Sequence, residues 1–179
     1  MERAAIVVAG GSGSRLGGVD KPALVVGGRS LLDRALDATA GMTTVVVGPR
    51  RAVGREVVWT REQPAGGGPM AAVRAGIDRL SEMSDDAVVV LLAADLPAVV
   101  PEAVEAVTAI GGVLVDAAGE PQWLFSAWPL SMLRQVVPED AGGLSLRRVL
   151  GPHAGERVPD RWGAARDIDT PGDLREFGG

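Results

Sequence analysis

The stretch Ala9–Leu24, AGGSGSRLGGVDKPAL, follows directly on a short apolar run. It holds five glycines and two serines, then Arg15, then Lys21, the only lysine among eighteen basic residues. Glycines let backbone N–H groups approach and cradle an anion. An arginine fork grips two phosphate oxygens, whereas a lysine supplies a compact, rotatable point charge. A point charge beside a phosphorus whose geometry changes during reaction explains one lysine in a chain that otherwise uses Arg. The competing uses are a turn that only reverses the chain and a chance surface lysine. Carboxylates from two further segments accompany the loop. Asp95 ends the apolar run AVVVLLAADLP, and Asp167 and Asp169 flank Ile168 in RDIDTPGDL, a spacing that projects both to one side of an extended segment. Mg2+ typically takes one or two protein carboxylates plus substrate phosphates, so Asp95 with Asp169 is a sufficient set. Capping of the following turn is the other use of Asp95, and solvation the other use of Asp167.

Familiar phosphate loops do not fit. A Walker loop needs Gly-Lys-Ser/Thr, but Lys21 stands between Asp20 and Pro22. The dinucleotide fingerprint needs a sixth-position glycine where Leu16 stands, and an acid after the second strand where Gly48-Pro49-Arg50 follows. The chain has no cysteine, which removes disulfides, thiolate metal sites and cysteine nucleophiles. Its one histidine, His153, lies in a loop-like segment and reads as solvated. A formal net charge of -5 disfavours nucleic acid as a partner.

These residues need elements to position them. Runs rich in Val, Ile and Leu alternate with helix-like stretches, the pattern of an α/β fold with a mostly parallel sheet. Strands are expected at 4–8, 43–47, 56–60 and 87–93, the last apolar throughout and so central. Helices are expected from Ser30, which has Asp33 as its capping-box partner, to Gly41; from Pro69; from Pro101; and from Thr170 with Asp173 three residues on. The segment 112–127 reads as a two-stranded, antiparallel excursion. No apolar run nears the roughly 20 residues of a membrane span, and nothing resembles a signal peptide. The expectation is therefore one domain over 1–179, monomeric and cytoplasmic, with no membrane partner.

In order and spacing along nearly the whole chain, the motifs resemble those of the molybdenum cofactor guanylyltransferase (MobA) family within the glycosyltransferase-A-like nucleotidyltransferases. AGGSGSRLGGVDKPAL is similar to its Leu-Ala-Gly-Gly, Arg, Gly, Asp-Lys signature, GGGPMAAV to its Gly-Pro-Leu-Ala-Gly segment, ADLP to Asp-x-Pro, and DIDTPGDL to Asn-x-Asn-Thr-Pro-x-Asp. The resemblance implies a Rossmann-like three-layer α/β/α fold and transfer of GMP from GTP to the phosphate of molybdopterin, with release of pyrophosphate. It implies nucleotide contacts at Val8, Ala9, Gly10 and Gly11, phosphate contacts at Arg15 and Lys21, base or ribose contact at Gly68, and Mg2+ at Asp95, with Asp169 able to complete the metal site. Transient contact with cofactor assembly proteins is also implied. The sequence departs from the family at Val8, at Met70 and Ala72 beside the implied base pocket, and at Asp167 and Asp169, where Asn is usual. The last departure also resembles the cytidylyltransferases, so the alternatives are a CTP-dependent enzyme, a sugar-phosphate nucleotidyltransferase, or a non-catalytic nucleotide-binding partner. Trp123, Phe125 and Trp128 are candidates for stacking on a pterin or for the core. Arg147 and Arg148 are candidates for its phosphate or for a solvated helix face.

Overall fold

A computed structural model of the chain describes residues 1–10 and 17–178. The first apolar run forms β1 (Arg3–Val8), and a 3-10 turn, Lys21–Ala23, leads to a hairpin of β2 (Val25–Val26) and β3 (Arg29–Ser30). Then come α1 (Leu31–Ala38), β4 (Thr43–Val47), β5 (Val58–Thr60), α2 (Pro69–Asp78), β6 (Val88–Ala93) and α3 (Pro101–Ile110). The C-terminal part holds β7 (Val113–Val115), β8 (Pro121–Pro129), α4 (Leu130–Val136), α5 (Leu146–Leu150), β9 (Arg157–Pro159) and α6 (Pro171–Gly178).

The described strands other than the hairpin form a seven-stranded sheet in the order β5-β4-β1-β6-β8-β7-β9. β5, β4, β1 and β6 run parallel, while β8 is antiparallel to both neighbours. Strand alternation divides the core between two faces. Ala5 and Val7 of β1 and Val90 and Leu92 of β6 pack with Leu32 and Leu36 of α1 and Val104 and Val107 of α3. Ala4 and Ile6 with Val89 and Leu91 pack against Met70, Val73 and Ile77 of α2 and Leu133 of α4. The result is the expected three-layer α/β/α arrangement, and no described helix is long and apolar enough to cross a membrane.

Three expectations needed adjustment. The third strand is shorter than 56–60. Helix α1 ends at Ala38, so Gly41 lies in the turn beyond it. The two-stranded excursion exists, but β8 inserts between β6 and β7 and so belongs to the main sheet, because its apolar residues Phe125 and Trp128 need both faces covered. The β2–β3 hairpin went unread, although Gly27 and Gly28, with φ of 57° and 79°, carry the signature of a two-residue turn.

From β1 the chain builds β4 and β5 on one side and then crosses to β6 on the other. That reversal opens a crevice beyond the carboxyl ends of β1 and β6, where ligands bind in such sheets. Helix α2 lies close under β1, because a Cβ built on Gly76 falls 2.5 Å from Ile6 Cγ2 and 2.8 Å from Ile6 Cδ1. Overpacking there costs about 1–3 kcal/mol, against a helix-propensity gain of about 1 kcal/mol. We predict that Gly76→Ala lowers the unfolding free energy by up to about 2 kcal/mol in chemical denaturation, and a rise in stability would mean that Ile6 repacks freely.

Candidate active site at the carboxyl ends of β1 and β6

Lys21 opens the 3-10 turn after Asp20, and buried Pro22 anchors that turn. Its Nζ donates to Asp169 Oδ1 at 2.8 Å and lies 3.7 Å from Asp95 Oδ2. The Lys21 side chain is 15% exposed, those of Asp95 and Asp169 27% and 36%. Asp95 sits two residues beyond the end of β6, and the intervening Ala94 N–H donates to Val8 O at 3.0 Å, which binds this turn to the end of β1.

Asp169 comes from the far end of the chain, and two devices put it in place. Ile168 is fully buried with Val26 and Leu31, and Leu24, Leu174 and Phe177 pack around them. The α6 capping box adds fixed backbone. Thr170 N–H donates to Asp173 Oδ2 at 2.8 Å, Asp169 N–H donates to the same oxygen at 3.1 Å, and Asp173 N–H donates back to Thr170 Oγ1 at 3.2 Å. The Thr170 hydroxyl also donates to Asp173 Oδ2, at 2.8 Å, and this bond, with the two backbone N–H bonds to the same oxygen, holds the Asp173 carboxyl below its usual range. Asp167, on the other side of Ile168, is exposed, yet its charge reaches both Lys21 and Asp95.

Electrostatics follow from this crowding. Burial opposes the charged form of Lys21, but the hydrogen bond to Asp169 and the charges of Asp95, Asp169 and Asp167 outweigh it and raise its pKa. Burial raises the pKa of Asp95; Lys21 partly offsets this, and Asp167 and Asp169 add to it. One ammonium thus faces an excess of carboxylate, an environment that favours a further cation. Among the described residues no three His, Asp or Glu side chains form a ready metal cage. Two convergent carboxylates are nonetheless the hard oxygen set that Mg2+ takes when phosphates supply the rest, so Asp95 and Asp169 fit that ion.

Val8 and Ala9 lead β1 into the crevice, and Gly10 is exposed at its edge. Gly11 and Arg15 lie outside the described residues. Gly48 allows the neighbouring turn to press against this exit, since a Cβ on it would fall 2.7 Å from Ala9 O. Gly68 caps α2 with φ of 88° and faces open space. Met70 and Ala72, implied to stand beside a base pocket, lie in the first turn of α2 with their side chains buried against the sheet. Phe125 and Trp128 are core residues, which leaves only the half-buried Trp123 of the three stacking candidates. Arg147 and Arg148 are exposed on α5, and His153 is exposed in a 3-10 turn.

Two contacts escaped the sequence reading. The Asp20 carboxylate is held by Arg51, whose hydrogen bonds lower the Asp20 pKa. Glu62 Oε1 accepts from Gly66 N–H at 3.2 Å and lies beside Gly10. Neither has a spacing signal, because both depend on which loops the sheet order makes neighbours.

The doubly anchored lysine and its paired carboxylates lie beyond the carboxyl ends of β1 and β6 in an α/β/α sheet, the place where ligands bind in such folds. The profile of the MobA-like NTP transferase domain matches residues 5–158. The chain belongs to that family. It is 31% identical over 135 residues to the molybdenum cofactor guanylyltransferase of Acidiphilium cryptum, 71% of this chain and 67% of that protein. The molybdopterin-guanine dinucleotide biosynthesis protein A from Archaeoglobus fulgidus shares the fold with TM-score 0.70 and 21% identity, over 98% of this chain and 96% of that one. So does the 2-C-methyl-D-erythritol 4-phosphate cytidylyltransferase of Francisella tularensis, with TM-score 0.70 and 14% identity, over 98% of each chain. Asp167 and Asp169 lie beyond the profile match, so their place in the crevice is seen only in the structure.

The burial of Ile168 is what couples α6 to the crevice. Truncating such a side chain costs about 2–5 kcal/mol, here borne by a small peripheral cluster. We predict that Ile168→Ala speeds amide hydrogen exchange across 166–178 while β1 and β6 keep their protection, and unchanged exchange there would show that α6 is held by other contacts.

Proposed function

We propose that this nucleotidyltransferase transfers GMP from GTP to the terminal phosphate of molybdopterin, with release of pyrophosphate. The observation that carries the reading is the convergence of Lys21, Asp95 and Asp169 in the switch-point crevice, in a chain similar to a molybdenum cofactor guanylyltransferase.

The chemistry asks little of side chains beyond position and charge. A phosphate monoester is mostly ionised at neutral pH and attacks without a protein base, which suits a crevice whose described residues include no histidine. In the proposed arrangement Lys21, kept protonated by its carboxylate neighbours, stabilises negative charge on the reacting phosphates. Asp95 and Asp169 would hold Mg2+, which would supply neutralisation of phosphate charge. Val8, Ala9 and Gly10 present backbone to the nucleotide, with Gly11 and Arg15 completing the loop, and Gly68 leaves room for base or ribose at the start of α2. On the acceptor side Trp123 is the candidate to stack on the pterin, and Arg147 and Arg148 are the candidates for its phosphate.

Pyrophosphate release, measured with GTP, molybdopterin and Mg2+, tests the reading. Lys21→Ala and Asp95→Ala each lower turnover by about a thousandfold with the melting temperature preserved, and chelation of Mg2+ abolishes it. Faster release from CTP would keep the site chemistry and overturn the guanylyl assignment. Full turnover in either folded variant would remove that residue from the reaction.

A further inference from the structure

Lys21 is fixed at both ends. Its ammonium is held by Asp169 and Asp95, but its backbone is fixed elsewhere. Asp20, immediately before it, starts the 3-10 turn, accepting from Ala23 N–H through its carbonyl at 3.0 Å. An aspartate in that place usually caps the turn with its side chain, yet this one makes no side-chain cap. Its carboxylate is instead gripped by Arg51, with Nε donating to Oδ2 at 2.8 Å and an Nη to Oδ1 at 2.6 Å. The other Nη of Arg51 donates to Pro49 O at 3.0 Å, and its side chain is only 12% exposed. Every nitrogen of the guanidinium is thus committed, and the fork geometry is one that a lysine does not reproduce.

Arg51 belongs to the connection between β4 and β5, and so does Gly48, which presses against Ala9 and Gly10. One connection therefore touches both described ends of the glycine-rich stretch: Gly48 where it leaves β1, and Arg51 where it reaches the 3-10 turn. We propose that Arg51 is a positioning residue of the nucleotide site, which holds Asp20 and thereby sets the backbone from which Lys21 reaches the phosphates. Arg51 does not itself touch the nucleotide. This inference rests on the nucleotidyl-transfer reading above.

The test is GTP binding by calorimetry in the presence of Mg2+, on the wild-type chain, Arg51→Met, Arg51→Lys, Asp20→Asn, Asp20→Ala and the double variant Asp20→Ala/Arg51→Met, with a thermal melt of each. Arg51→Met weakens GTP binding by about tenfold or more, the scale of a misplaced reactive group. Arg51→Lys restores little, because it brings back charge without the fork. The double variant binds no more weakly than the weaker single variant, since the two residues act as one unit. If Arg51→Met fails to fold, Asp20→Asn carries the test, because it keeps the shape of an exposed side chain and weakens only the fork. Wild-type affinity in folded Arg51→Met or Asp20→Asn, full recovery in Arg51→Lys, or independent losses that multiply in the double variant overturns the inference alone. A wild-type chain that binds no GTP overturns the transfer reading and the inference with it.

Discussion

One ammonium joins three distant parts of the chain. Lys21 follows the first strand, Asp95 the central one, and Asp169 precedes the last helix, yet all meet at Lys21 Nζ. Each approaches from a different support: a 3-10 turn seated on Pro22, a turn bound to β1 through Ala94, and an extended segment pinned by Ile168. Carboxylates left without that cation would repel one another in a half-buried crevice, and the raised Asp95 pKa expresses the cost of burying negative charge there. Replacing the ammonium is therefore expected to change the electrostatics of the crevice while leaving the two faces of the sheet packed.

The same arrangement explains the choice of residue. An arginine would spread its charge over a planar fork and prefer bidentate partners, as Arg51 does with Asp20. Lys21 offers three rotatable donors at a point, which satisfy Asp169 and, in the proposed reaction, turn toward phosphate oxygens. Arg51 and Lys21 are neighbours through Asp20: the fork is committed to Asp20 and Pro49, and the ammonium to Asp169 and Asp95.

Much of this was legible in the sequence because its causes are local. Alternating apolar runs gave the strands, Ser30 with Asp33 and Thr170 with Asp173 gave two helix starts, and Pro101 gave a third. The single lysine and the acid after the most apolar strand stand out in the sequence, and the fold brings them to within 3.7 Å of each other. What was not legible depends on sheet order. Nothing in the spacing of Asp20 and Arg51 announces a fork, and nothing in 112–127 announces that β8 would insert beside β6. Aromatic type alone left pterin stacking and core packing open, and Trp128 takes the core: it finds its hydrogen-bond partner in Ser126 there, at 2.7 Å.

The most direct test of the account is a crystal structure with GTP and Mn2+ in place of Mg2+, read from the anomalous signal of the metal. The account predicts a metal peak bound by the Asp95 and Asp169 carboxylates, with the Lys21 ammonium turned onto the triphosphate. A triphosphate bound in the crystal away from Lys21, with no metal at Asp95, would contradict it.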